Sequence, residues 1–191
     1  VGVELNQEVK DVIDQLMADS QFAVYSLAAA GDLIRNMYHQ SEHLRIIREE
    51  GPRIMLLSGG GNDFFEMFPN MLQANPQNDD PSTWIKTNCH VELEVLKKYY
   101  VALLTELHTA HPTLDIILHG YDYIIPRPNG PYIGNFMIDK GYMEKAKQKV
   151  LIRYIMELFN DALAELATIH AFAGKEHYLR MIGTLEKDNQ G

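Results

Sequence analysis

Apolar residues along this chain follow two different rhythms. Four short runs rich in Val, Ile, Leu and Tyr, at Phe22 to Ala29, Arg53 to Ser58, Asp115 to His119 and His177 to Ile182, are close to continuously apolar. Strands of a parallel sheet covered on both faces have this character. Between the runs the rhythm becomes helical. Val9, Val12, Ile13, Leu16 and Met17 recur at i, i+3, i+4, i+7 and i+8, which predicts a first helix. Leu33 to Glu49, about Thr87 to Ala110, and Lys145 to Ala171 follow as the next three. The resulting order, α-β-α-β-α-β-α-β, is that of a doubly wound α/β domain. No repeat or low-complexity linker divides it, so residues 1–191 are read as a single domain.

Two connections exceed the roughly 2 to 6 residues usual in such units. Phe64 to Lys86 carries Pro69, Pro76, Pro81 and Trp84, and Tyr121 to Tyr142 carries Pro126, Pro128, Pro131, Gly130 and Gly134. Both follow the carboxyl ends of predicted strands, the edge on which open α/β sheets form their ligand crevice. Phe64, Phe65, Phe68, Trp84, Tyr121, Tyr123, Tyr132 and Phe136 concentrate there. They can line an acyl or aromatic pocket, or pack the loops onto the sheet.

Composition narrows the partners. The chain has 17 basic against 26 acidic residues, a formal charge of −9, and its basic residues are dispersed rather than striped. This argues against a nucleic-acid backbone and for a small molecule or a protein. Cys89 is the single cysteine, so neither an internal disulfide nor a cysteine-cluster zinc site can form. No apolar run approaches the ~20 residues of a membrane span. Val1 opens the chain without a basic and apolar leader pattern, and the compartment is not legible.

The densest chemistry lies at the second predicted strand, where Leu56-Leu57-Ser58 runs into Gly59-Gly60-Gly61-Asn62-Asp63. Glycines permit positive φ and close approach of backbone to a ligand, and a rigidly held Asn amide can stabilise an oxyanion. The alternative is a Gly-rich turn with Asn62 or Asp63 as helix N-cap. No Gly-Lys-Ser/Thr follows, and the third glycine of a dinucleotide fingerprint is missing.

Gly60-Gly61-Asn62-Asp63 after a strand resembles the GxND block of the SGNH (GDSL-type) hydrolases. Tyr25-Ser26-Leu27-Ala28-Ala29-Ala30-Gly31, one helix earlier, is similar to the preceding block of that family, and Asp115 to Tyr123, with its Gly120-Tyr121-Asp122 ending, is similar to a later strand. The resemblance implies a flavodoxin-like three-layer α/β/α fold with a parallel sheet. It also implies a serine esterase or acyl hydrolase acting on a small ester or acylated substrate, without cofactor or metal. Carried over, Gly31 supplies a backbone oxyanion donor and Asn62 a side-chain one. Gly61, Asp63, His119 and Tyr121 are the candidate substrate contacts beside them; His119, at a strand's carboxyl end, also reads as a structural histidine, and Asp63 as a residue that fixes the turn.

The chain departs from the family at both catalytic ends. No Gly-Asp-Ser occurs; the nearest match, Ala18-Asp19-Ser20, follows a helix and reads as a turn. No Asp-x-x-His-Pro occurs either, and His111-Pro112-Thr113, with His108 where Asp is required, reads as a loop leading into a strand. In a flavodoxin-like order 2-1-3-4-5 the first strand is central, and it has no counterpart here. The expectation is therefore the interior of a longer hydrolase. Alternatives are a non-catalytic α/β binding domain that has lost the nucleophile, and a flavodoxin-like cofactor domain holding phosphate at Gly59 to Gly61. His39 with His43, and His90 with Glu94, share helix faces without a third ligand. Glu157, Asp161 and Glu165, four residues apart, read as a solvated face.

Overall fold

The structure, a computed structural model, describes residues 12–74, 78–127, 133–169, 172 and 174–184. The chain divides into two compact units, 1–30 and 31–191. In the first, α1 (Val12–Ala18) ends in a turn in which Asp19 Oδ1 accepts the Gln21 amide at 2.9 Å and Asp19 O accepts that of Phe22 at 3.1 Å. Ser20 is accordingly a turn residue. Positions 22–29, expected as the first strand, form none; Phe22 and Tyr25 are more than half exposed. An apolar run becomes a strand only when a neighbouring ladder takes its amides, and no ladder forms there among the described residues. Val9, assigned to the first helix, lies outside the described residues.

The second unit is α/β. Among its described residues β1 (Ile54–Leu57), β2 (Asp115–His119) and β3 (Glu176–Leu179) form a parallel sheet in the order β1-β2-β3. Leu57 lies opposite Leu118 and Leu118 opposite Tyr178. Side chains alternate across a strand, so Leu57, Ile116 and Leu118 share the buried face. Ile54 and Leu56, on the other, are 55% and 52% exposed. Continuous burial of these runs was the expectation, and the alternation corrects it.

The helices are α2 (Ile34–Gln40), α3 (Glu42–Glu50), α4 (Gly61–Met71), α5 (Asn88–Ala110), α6 (Ile133–Asp139) and α7 (Lys145–Leu166). The single helix expected over 33–49 is two, because Ser41 adopts φ +54° between them. Two stretches expected as loops also fold. Phe64, Phe68 and Met71, buried at i, i+4 and i+7, hold α4 through Pro69, a 3₁₀ turn spans Pro81–Trp84, and α6 occupies part of the second loop. α3 stops at Gly51, whose φ of +56° returns its amide to Ile47 O at 3.0 Å just before Pro52.

α5 is the spine of the core. Leu93, Leu96, Tyr100, Leu103, Leu104 and Leu107 follow the helical period and are all buried, and α2, α3, α4 and α7 pack against this helix. Its last turn reaches β3 through His108, which pairs with the buried Glu176 and stacks on Phe172 at 5.5 Å. His111 and Pro112 form the connection into β2, as expected. The acidic row on α7 does more than face solvent: Arg180 bridges Glu157 and Asp161, and Lys97 of α5 meets Glu165 at 2.5 Å. Exposed pairs of this kind each stabilise weakly.

The strongest polar junction is a single amide. Asn160 of α7 is fully buried; its Oδ1 accepts the Tyr121 amide at 3.0 Å and the Tyr178 hydroxyl at 2.7 Å, and its Nδ2 donates to Tyr121 O at 2.9 Å and Met156 O at 2.7 Å. Gly120 belongs to the same junction, because a Cβ there would lie 1.9 Å from Asn160 Oδ1. Asn160→Ala strands buried backbone groups, and chemical denaturation should show a loss of about 3 kcal/mol. A second prediction concerns His43, buried on α3 with no hydrogen-bond partner for its Nε2 among the described residues. Burial holds its pKa below the ordinary value, with Glu106 pulling the other way. The unfolded chain then takes up a proton that the native state resists, so stability falls as pH drops below about 6.5. His43→Leu should flatten that part of the stability profile measured by denaturant titration from pH 7.5 to 5.5.

Candidate functional site

The chain leaves β1 and enters α4 through the three glycines. Gly60, at φ +80°, is the N-cap, in place of the Asn62 or Asp63 cap weighed from the sequence. The protein's own side chains fill the space these glycines leave. An added Cβ would meet Ile34 Cδ1 at 3.1 Å from Gly59, Tyr100 Oη at 2.9 Å from Gly60, and Tyr121 Cζ at 2.9 Å from Gly61. The run is Gly-rich because Tyr100 and Tyr121 pack directly on its backbone. Tyr121 also donates to Gly59 O at 2.9 Å.

Asp63, in the first turn of α4, is buried and accepts the Ile34 amide at 2.9 Å, capping α2 from a distance of 29 residues in sequence. Burial raises its pKa, against the Ile34 hydrogen bond. Beside it, Asn62 is exposed and its Nδ2 donates to Asp32 O at 3.0 Å. Gly31 is the residue before Asp32. It has φ +83°, is exposed, and its N–H has no hydrogen-bond partner among the described residues. The second N–H of Asn62 is likewise unengaged among them. Asn62 is thereby bonded to the residue that follows Gly31, 30 positions away, which brings the two stretches that carry the assigned oxyanion donors together. Asn62 also lies in the first turn of α4, at the positive end of its dipole, which favours an anion.

An open pocket of about 400 Å³ adjoins this corner. Gly61, Phe64 and Phe65 of α4, Tyr121, Tyr123 and Ile125 of the loop after β2, and Phe159 of α7 supply its largely apolar wall. Aromatics from both long connections thus converge here, whereas Phe68 and Trp84 are core residues, Phe136 is exposed, and Tyr132 lies outside the described residues. Of the sequence-assigned residues, Gly61 and Tyr121 line the pocket; Gly31, Asn62, Asp63 and His119 are outside its lining. His119 sits at the end of β2 with its ring 5.6 Å from that of Tyr121 and its Nδ1 2.8 Å from Gly120 O. Tyr123 donates to Glu157 at 2.5 Å and lies under the Arg153 guanidinium. Burial raises the pKa of Tyr121, and Cys89 is pushed up to about 11 by burial and then by Glu92, so neither group ionises near neutrality. No three His, Cys, Asp or Glu side chains converge as a metal site among the described residues.

Two residues here escaped the sequence reading. Asn160 was discoverable, since Met156, Phe159 and Leu163 place it on the apolar face of α7 at i, i+3, i+4 and i+7. Arg127, between Pro126 and Pro128, carried no signal. No family model, no curated protein and no solved structure matches the chain.

The close packing of Tyr121 on the glycine turn generates a test. Tyr121→Phe removes the donor to Gly59 O, and denaturation should show a loss of about 1 kcal/mol. Gly61→Ala drives a methyl into the Tyr121 ring, and its loss should be larger, within about 1–3 kcal/mol.

Proposed function

We propose that this domain is the acyl-binding and oxyanion-stabilising part of a serine ester hydrolase of the SGNH type. In this chemistry a serine oxygen attacks the acyl carbon, the carbonyl oxygen takes up negative charge, and the alcohol departs with a proton from the base. Water then releases the acid. Gly31 N–H and the Asn62 amide are the donors to the charged oxygen, and the apolar pocket beside Gly61 takes the acyl group. The observation that supports this reading is the hydrogen bond from Asn62, in the first turn of α4, to O of Asp32, the residue after Gly31; among the described residues the Gly31 N–H and the second Asn62 N–H have no partner. Tyr121, bonded to Gly59 O and held by Asn160, is the positioning residue behind that corner. The flavodoxin-like arrangement belongs to the same reading, supported by the parallel order β1-β2-β3 and by the helix between β1 and β2.

Residues 1–191 contain neither Gly-Asp-Ser nor Asp-x-x-His-Pro, which favours, as a second reading, an α/β binding domain that uses the same pocket without turnover. Full-length natural chain assayed with p-nitrophenyl esters of graded length separates the two. The hydrolase reading expects turnover, a covalent serine adduct with a fluorophosphonate, and a fall of about 10²–10³ in kcat for Asn62→Ala with KM little changed. Absence of both turnover and adduct would exclude it and leave the binding domain.

A further inference from the structure

We propose that the pocket selects a ligand whose apolar body ends in an anion, with Arg127 as the residue that recognises the charge. The charged members of the pocket lining are Asp122 and Arg127. Asp122 is committed to the protein: Oδ1 accepts the Gly183 amide at 2.9 Å and Oδ2 the Thr184 hydroxyl at 3.1 Å. Arg127 is exposed and has no ion-pair or hydrogen-bond partner among the described residues. The sequence from Pro126 to Gly134 contains no acidic residue to neutralise it. In a chain of net charge −9 this places on an apolar wall a cation that no described residue pairs with.

The position of Arg127 is built rather than incidental. Gly134, the second residue of α6, lies so close that a Cβ there would be 2.1 Å from Arg127 O and 2.9 Å from Arg127 C. The backbone of Arg127 is thereby seated on α6 and held at the pocket rim. A volume of about 400 Å³ accommodates roughly a dozen non-hydrogen atoms at ~30 Å³ each. A guanidinium presents a planar fork of donors that matches a carboxylate or phosphate bidentately. The ligand class is an acyl or arylalkyl group carrying a terminal carboxylate or phosphate. As a substrate, which rests on the hydrolase reading above, this is an ester of a dicarboxylic acid with one free carboxylate.

Binding and turnover are measured separately so that the two ideas can fail independently. Calorimetric titration uses 4-phenylbutyrate, 4-phenylbutyl phosphate and the neutral 4-phenylbutyramide as probes. The expected result is at least tenfold tighter binding of one or both anions than of the amide, lost in Arg127→Gln and partly retained in Arg127→Lys; which anion leads distinguishes carboxylate from phosphate. Arg127→Glu should turn the preference toward 4-phenylbutylamine. Equal affinity for anion and amide, no effect of Arg127→Gln, or no binding of any probe would each overturn the proposal. If the anions bind selectively and full-length chain hydrolyses no ester, the hydrolase reading fails and the anion pocket stands. With turnover, Arg127→Gln should lower kcat/KM for mono-p-nitrophenyl adipate and spare p-nitrophenyl hexanoate.

Discussion

The side-chain amide of Asn160 is the junction on which the site half of this domain depends. A buried amide is costly unless its donors and acceptor are used, and here four partners from β2's exit, α7 and β3 use them. The two bonds to the Tyr121 backbone fix where the chain leaves β2. That exit direction sends the Tyr121 ring onto Gly61 and its hydroxyl onto Gly59 O. The strand-to-helix turn at β1 and the loop after β2, distant in sequence, become one wall. Gly120 is required for the same reason, since Asn160 and Tyr178 occupy the volume its side chain would need.

A second tier of contacts sets the exposed corner. Asp63 reaches from α4 to the first amide of α2, and Asn62 reaches to the carbonyl of Asp32. Together they seat the start of α2 against the start of α4, and the exposed Gly31 N–H has no partner among the described residues. Two adjacent residues thus divide the labour: the buried carboxylate holds the geometry, and the exposed amide keeps one donor in reserve. On the proposed hydrolase reading, donors held in this way need no reorientation when charge develops. The apolar pocket adjoins the same helix turn, with Gly61, the residue before Asn62, in its wall.

The α/β class, the parallel sheet, and the span of α5 to within a residue were legible because apolar periodicity reports burial directly. The strand expected at 22–29 was not, since an apolar run carries no information on whether a partner ladder exists. Ser41 broke a continuous helical pattern by a left-handed backbone that periodicity cannot register. Pro69 was read as a loop signal, yet three buried side chains of α4 outweighed the lost hydrogen bond. Of the GGGND run, Gly61 lies in the pocket wall. The glycines of the run nevertheless serve side-chain packing, a demand made by Tyr100 and Tyr121 from other segments and so invisible locally. Arg127 is visible only once α6 seats its backbone and the pocket shows what it faces.

Whether Gly31 and Asn62 form one oxyanion-binding corner is decided by the structure of the full-length chain carrying a phosphonate transferred from a fluorophosphonate. The expected result is a phosphonyl oxygen about 3 Å from both the Gly31 nitrogen and Asn62 Nδ2, with the Asn62 to Asp32 hydrogen bond preserved. A phosphonyl oxygen bound elsewhere, with both donors facing solvent, would contradict it.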